Sequence, residues 1–371
     1  GVLGVAAFGK GGGAVPKSFW ALVSRYWLKA QLKDGGWSYW PPFRKSEEAG
    51  EEAYHAPRGS MSAAGLASVL ECLGFEDRQR YLACGVYEPP PVLAKGLQWF
   101  DDNFSGTLSG TVQAGPDRRF CYYLYGVKRA GLAAGRRYFG ERDWYRAGAE
   151  VLFRKQAGSG SWQEGGLSET AFALLFLLDG GSPLVFNHLK RLGDWNNRPR
   201  ALSNLLRWAG SRAKRRFSRR IAEIKADDRW HDAPVLVITG SRKPIILGKQ
   251  VARLRNFALE GGIIFSIAEG KDDGFEEGMR KIYAEAFPGR ELKKVSTSHR
   301  VYLKPRPVDD KPALHMIHAG PRPLVIHCST DLTKVWEQGF SRSNDSAFNV
   351  GYNLIDYVSA GFERLRPRFD S

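Results

Sequence analysis

Ala233–Ala268 reads APVLVITGSRKPIILGKQVARLRNFALEGGIIFSIA, and this stretch decides the fold of the second half of the chain. APVLVITG (Ala233–Gly240) is an unbroken apolar run between Pro and Gly, the pattern of a strand covered on both faces. KQVARLRNFAL (Lys249–Leu259) changes to helical spacing, with Val251, Leu254, Phe257 and Ala258 on one stripe. Gly261-Gly262 ends that helix, and IIFSIA (Ile263–Ala268) is the next buried strand. Downstream, Phe275–Phe287 reads as a helix closed by Pro288-Gly289, Pro323–Cys328 (PLVIHC) as a strand, and Phe348–Ala360 as a C-terminal helix. Strand–helix alternation of this kind predicts a doubly wound, mostly parallel sheet over residues 233–371.

The first half has a different grammar. Val15–Trp37 and Asp143–Trp162 each run from a Trp-bearing helix to a Gln, then a Gly-containing turn, then a second Trp: Gln31 to Trp37 and Gln156 to Trp162. Pro91–Phe104 keeps the helix and loses the turn. A second helix follows each copy, over Gly59–Leu73, Phe120–Ala134 and Ser168–Leu178, the last with Ser168 and Thr170 suited to an N-cap. Units of this type are helical hairpins that bury their faces against their neighbours. In the turn, Gly allows the sharp reversal, the Gln amide can cap backbone groups, and the Trp can stack on the adjoining helix. Gly1–Phe8 reads as the end of a helix, so further repeat sequence is expected upstream, where any export signal would also lie.

Composition bounds the rest. The chain has 371 residues, 55 Lys plus Arg against 39 Asp plus Glu, a formal charge of +16 and 43% apolar residues. That is enough apolar material for two cored domains, which excludes wholesale disorder. The longest apolar run, Ala171–Leu178, is too short to cross a bilayer. Cys72, Cys84, Cys121 and Cys328 lie far apart and form no CxxC pair, so neither a cysteine zinc site nor a disulfide framework is indicated. Twelve basic residues fall between Leu184 and Lys225, a stretch read as a basic connector over 184–232. Its peak holds Arg212, Lys214, Arg215, Arg216, Arg219 and Arg220, which could serve as an anion-binding patch for phosphate or anionic lipid. The alternative is a solvated helix end followed by an edge strand guarded by charge. No nucleic-acid module accompanies the patch, so nucleic acid is not the expected partner.

The Gln/Gly/Trp repeat resembles the QW motif of the squalene-cyclase and prenyltransferase superfamily over about residues 1–183, which implies a partial α/α toroid, the terpenoid cyclase-like fold. The catalytic parts of those relatives do not carry over. No DxDD acid occurs, Asp101-Asp102 reading as a polar helix end, and no Asp/Cys/His trio suits zinc. The second half resembles bacterial proteins known as domain of unknown function 4159, through LKRLGDWNNRPRALSNLLRW (Leu189–Trp208), APVLVITG, LRNFALEGGIIF, GMRKIYAEAFPG, TSHRVY and HCSTDLTKVW (His327–Trp336). That family is similar to class I glutamine-amidotransferase folds. The resemblance implies periplasmic export as an expectation and no transferable reaction.

Ligands of open parallel sheets bind beyond the carboxyl ends of the strands. The candidate site residues therefore lie there: Thr239, Ser241 and Arg242 for binding, and Glu269, His299 and Asp331 as a catalytic set of two carboxylates with a base or orienter. Asp331 reads equally well as the N-cap of the short helix DLTKVW. An amidotransferase needs a Cys on a strand-to-helix elbow. EGKDDGF after IIFSIA supplies none, and Cys328 lacks elbow glycines. His315, His318 and His327 lack a spaced carboxylate, so no metal and no cofactor is expected. The resulting expectation is a non-catalytic binding or scaffold protein, a pseudoenzyme recognising a protein, glycan or envelope component. A hydrolase using Glu269, His299 and Asp331, and a terpenoid-binding toroid, are the alternatives.

Overall fold

The computed structural model describes residues 1–45, 54–76, 78–84, 89–112, 119–162, 166–225, 228–340 and 345–363. The chain divides into two compact units, Gly1–Arg78 with Glu88–Gly181, and Gln79–Tyr87 with Ser182–Ser371.

The first unit is helical: α1 (Val2–Lys10), α2 (Lys17–Ala30), α3 (Gly59–Glu76), α5 (Pro91–Ser109), α6 (Phe120–Ala134), α7 (Trp144–Lys155) and α8 (Leu167–Gly180). A hairpin of two-residue strands, β1 (Tyr138–Phe139) and β2 (Arg142–Asp143), leads into α7, while α4 (Arg78–Leu82), next after α3 in the chain, falls from Gln79 onward in the second unit. α3 packs against α2, α5 and α6, α6 in turn packs against α7 and α8, and α7 also meets α5 and α8. Trp37, Trp99, Phe100, Tyr123, Trp144 and Phe176 fill the core.

The two repeat turns are built alike. Gln31 Nε2 donates to Gly35 O and Gln156 Nε2 to Gly160 O, each at 2.9 Å. The Trp37 indole donates back to Trp27 O at 2.9 Å, and that of Trp162 to Leu152 O at 2.8 Å. Each Trp amide is then held by a hydroxyl of the following helix, Ser62 Oγ or Thr170 Oγ1. Thr170 thus serves the turn and not the end of its own helix, which begins at Leu167. Gly65 is required here, because a Cβ at that position would lie 2.5 Å from the Trp37 ring. Asp101 is structural too: it takes two bonds from Arg136 Nη2, at 2.6 and 2.8 Å, and one from Gly140 N.

The second unit holds a seven-stranded sheet in the order β4-β3-β5-β6-β9-β8-β7. Its strands are β3 (Leu184–Lys190), β4 (Ser218–Glu223), β5 (Val235–Arg242), β6 (Ile263–Asp273), β7 (Lys293–Lys294), β8 (Leu314–Ala319) and β9 (Arg322–Cys328). β4, β3, β5, β6 and β9 are mutually parallel, and β8 and β7 extend the sheet antiparallel. The helices are α9 (Ala201–Ala213), α10 (Lys249–Leu259), α11 (Phe275–Ala286), α12 (Arg300–Leu303), α13 (Leu332–Gln338) and α14 (Asp345–Glu363). Val235, Val237, Phe265, Ile267 and Ile326 share a core with α9, α13 and α14, while Leu236, Ile238, Ile264 and Val325 share one with α10 and α11. Burial on both faces is why these strands read as unbroken apolar runs.

This arrangement corrects the connector. Residues 184–223 are β3, α9 and β4, part of the sheet and not a link to it. The basic peak divides accordingly. Arg212, Lys214, Arg215 and Arg216 are exposed at the end of α9, where Lys214 takes the left-handed cap at φ 50. Arg219 and Arg220, on the edge strand β4, turn to the protein and donate to Ser203 Oγ and Arg229 O.

Candidate functional site

The chain passes from β3 through α9 to β4 on one side, then returns past β3 to start β5 on the other. The loops leaving β3 and β5 therefore part in opposite directions and open the crevice where doubly wound sheets place ligands. Four strand ends meet there. β3 supplies Arg191, Asp194, Asn196, Asn197 and Arg198; β5 supplies Thr239–Arg242; β6 supplies Glu269 and Gly270; β9 supplies Asp331 and Thr333.

Asp194 organises the first half of the crevice. Its Oδ2 accepts from Ser241 N (2.6 Å), Ser241 Oγ (2.9 Å), Arg242 N (3.1 Å) and Asn197 Nδ2 (3.1 Å). Thr239 Oγ1 donates to Trp195 O, and Arg191 Nη2 donates to Thr239 O at 2.9 Å. Gly240 makes this approach feasible, since a Cβ there would stand 2.3 Å from Arg191 Nη2. Burial pulls the Arg191 guanidinium below its ordinary value, against the opposing influence of Asp194 and Glu269.

Asp331 organises the second half. Its Oδ1 accepts from Arg198 Nη1 (2.7 Å), Thr333 Oγ1 (2.9 Å) and Lys334 N (3.0 Å), and its Oδ2 accepts from Gly270 N (2.6 Å). The Lys334 contact is an N-cap for α13. Between the two halves sits Glu269, 1% exposed, with Asn197 Nδ2 donating to its Oε2 at 3.1 Å. Burial pushes the Glu269 carboxyl up to about 8; Arg198 and Thr333 pull it down, while Asp331 and Asp194 push it further up. Burial thus favours the protonated form of Glu269. A carboxylic acid kept neutral in a crevice by burial and like charge marks a functional-site candidate.

Cys84 lies close enough to feel Glu269, Arg198, Asp331 and Asp194. It takes a left-handed backbone at φ 59, and a Cβ on Gly270 would lie 3.1 Å from its Sγ. Burial raises the Cys84 thiol to about 11, Glu269 adds to that and Arg198 opposes it, so the group is a thiol and not a thiolate at neutral pH.

Four buried polar atoms of the crevice have no partner among the described residues: Arg191 Nε, Asn196 Oδ1, Asn197 Oδ1 and Arg198 Nε. Buried polar atoms are usually satisfied, so these mark unused bonding capacity.

His299 is not part of this set. It caps α12 by accepting from Val301 N and meets the Tyr357 ring, beyond the intervening strand β8. Cys328 is a packed core residue whose Sγ donates to Thr330 O. A second polar cluster lies on the opposite sheet face. Tyr283 Oη donates to Ser266 Oγ, which shares a hydrogen bond with His327 Nδ1, both at 2.7 Å. Ser266 and His327 have the atoms of a hydrolytic couple, and both are 0% exposed. Burial lowers His327 to about 4. No group of three or more His, Cys, Asp or Glu among the described residues is placed to hold a metal ion.

Asp194, Asn196, Asn197 and Arg198 are the functional candidates that sequence reasoning missed. The signal was a dense polar cluster, DWNNR, four residues beyond the run LVFNHL. Residues 185–358, from β3 into α14, match the family described as domain of unknown function (DUF4159). No curated protein matches the chain. No helix among the described residues is long and apolar enough to cross a membrane.

Proposed function

We propose that the chain is a non-catalytic binding or scaffold protein whose α/β unit takes its ligand at the crevice between β3 and β5. The observation that carries this is how hydrogen bonds divide there. Asp194 and Asp331 are committed to the protein's own donors, four apiece, and no activated nucleophile faces them among the described residues. What is left over is two guanidinium N–H groups and two amide oxygens. Mixed donors and acceptors without a free charge suit a polyhydroxylated ligand, such as a glycan of an envelope polymer, better than an ion. The test is binding to a glycan array beside turnover of ester, amide, glycoside and phosphoester substrates. Binding without turnover, weakened at least tenfold by Asn197→Ala, is expected. Turnover lost in a folded Asp331→Ala protein would overturn the reading.

A hydrolase is the second reading, favoured by the protonated Glu269 beside Asp331, which could act as a general acid. It requires an activity whose alkaline limb falls near pH 8 and vanishes in Glu269→Gln. For the helical unit we favour a segment of α/α toroid, supported by the two matched Gln/Trp turns. A terpenoid ligand there has one observation in its favour, an open apolar depression of about 510 Å³ lined by Val5, Phe8, Val15, Phe19 and Leu22. Quenching of tryptophan fluorescence by a polyprenyl alcohol, absent in Phe19→Ala, would support it; an unchanged spectrum would remove it.

A further inference from the structure

α4 interrupts the helical series. It follows α3 and precedes α5 in the chain, yet the chain from Gln79 groups with the α/β unit. Gln79–Cys84 also lies outside residues 185–358, which match the family. Cys84 is seated on Gly270, the residue after Glu269, whose amide is held by Asp331. A Cβ on Gly270 would lie 3.0 Å from Cys84 Cβ, so only glycine leaves this seat open. Both residues are left-handed, Cys84 at φ 59 and Gly270 at φ 60. A non-glycine residue in that region is uncommon and is kept there by its surroundings, as happens at clamps and switches.

The crevice itself is shut. Arg191, Asp194, Asn196, Asn197, Arg198 and Glu269 are each at most 5% exposed, and the four atoms without partners among the described residues are closed to solvent. A ligand that takes those atoms has to enter, so something has to move aside. The walls are the ends of paired strands, held by the sheet ladder. Gln79–Cys84 is held more lightly. α4 has five residues, too few for a helix stable on its own. Over Arg80–Cys84, Arg80 and Ala83 are exposed, Leu82 and Cys84 are half-buried, and Tyr81 alone is buried. Shallow segments of this kind are the ones that open locally.

We infer that Gln79–Cys84 is a plug on the crevice, closed while Cys84 sits on Gly270, and that a ligand reaches the orphaned atoms only after the plug swings away. This regulation rests on the reading of the crevice as the ligand site. Ligand affinity is then reduced in proportion to the fraction of molecules that are open. Control of the α/β unit thereby lies in a stretch of chain that stands, in sequence, between two helices of the helical unit.

Two measurements on the whole chain test the plug and its consequence separately. Alkylation of Cys84 by iodoacetamide, followed by peptide mass, reads opening with no ligand present. The rate should hardly change with urea below the unfolding transition, because local opening exposes little surface. Tyr81→Ala, which removes the buried anchor, is expected to raise the rate at least tenfold. A rate that climbs with urea as steeply as unfolding itself, or one indifferent to Tyr81→Ala, would overturn the inference. Gly270→Cys sets a second thiol against Cys84, and mild oxidation is expected to staple the plug shut. The stapled protein should lose binding on the glycan array and regain it with dithiothreitol. Equal binding by the stapled and reduced forms would also overturn the inference. If Gly270→Cys does not fold, alkylation alone decides. If the unaltered chain binds no glycan while Cys84 responds as expected, the plug stands and the glycan reading fails.

Discussion

The Gln/Trp turns of the helical unit and the crevice of the α/β unit are both small hydrogen-bonded assemblies, but they are assembled over different lengths of chain. Gln31 reaches Gly35 four residues on, and the Trp37 indole reaches back ten residues to Trp27. In the crevice, Asn197 reaches Glu269 across 72 residues and Arg198 reaches Asp331 across 133. Partly exposed contacts within one turn hold neutral groups. The Arg198–Asp331 contact holds charge, with the Arg198 side chain 1% and the Asp331 side chain 19% exposed. The lesson is energetic. A neutral bond near solvent can be replaced by water, whereas a buried charge that loses its counter-charge cannot.

The largest expected effect sharpens that contrast. Arg198→Ala removes the cation between Asp331 and Glu269 and should destabilise the α/β unit by about 3–5 kcal/mol, read from the shift in its urea unfolding midpoint. A loss below about 1 kcal/mol would place the crevice in the same class as the turns.

The pH dependence comes next. Burial holds His188 at about 3 and His327 at about 4 in the folded chain, against about 6.5 unfolded. The unfolded state therefore binds protons that the folded state refuses, and stability should be lost as pH falls from about 6.5 to 4 and below. Glu269 has the opposite sign. Between about 4.5 and 8 the folded state keeps a proton the unfolded state has released, so its contribution falls as pH rises through that window and levels off above 8. Glu269→Gln should flatten the alkaline side of the stability profile and leave the acid side in place. An unchanged profile would mean that Glu269 ionises freely.

Smaller effects separate the turns themselves. Gln31 also donates to Val92 O, whereas Gln156, among the described residues, has the turn bond to Gly160 O alone. Gln31→Ala should cost about 1–2 kcal/mol and Gln156→Ala about 0.5–1 kcal/mol in thermal unfolding. Equal losses would show that the long-range bond to α5 contributes nothing. The smallest effect is kinetic. Cys84 should alkylate far more slowly than a free thiol at pH 7, and Glu269→Gln should raise the rate only modestly, because burial is the first cause of its high pKa. Rapid labelling of Cys84 in the native protein would place it outside the crevice.

The same difference in chain length explains what the sequence let one read. The runs APVLVITG and IIFSIA announce buried strands because a strand covered on both faces must be apolar throughout. The turns at Trp37 and Trp162 were legible because their partners recur at a fixed short spacing. Asp331 was legible as a cap, since a cap binds the next turn of its own chain. Its second role, holding Gly270 and Arg198, depends on which strands are neighbours, and no spacing encodes that. β3 was concealed by its flanks, because basic residues dominate the charge count although LVFNHL is strand-like; β4 was legible as the alternative reading, a charge-guarded edge strand after a helix end, which SRRIAE forms. His299 was misplaced for the complementary reason. It follows β7, and the antiparallel β8 stands between β7 and β9. Cys84 lies far from the sheet in sequence, and nothing local marks it.

Amide hydrogen exchange at Ser241, Arg242 and Gly270 tests most directly whether the crevice carboxylates belong to the fold and not to a reaction. These amides donate to Asp194 and Asp331. They should exchange as slowly as the centre of β5, and Asp194→Asn and Asp331→Asn should each release the amides bonded to the altered side chain. Fast exchange at all three in the native protein would show carboxylates free of the backbone and available for chemistry, and would contradict the account.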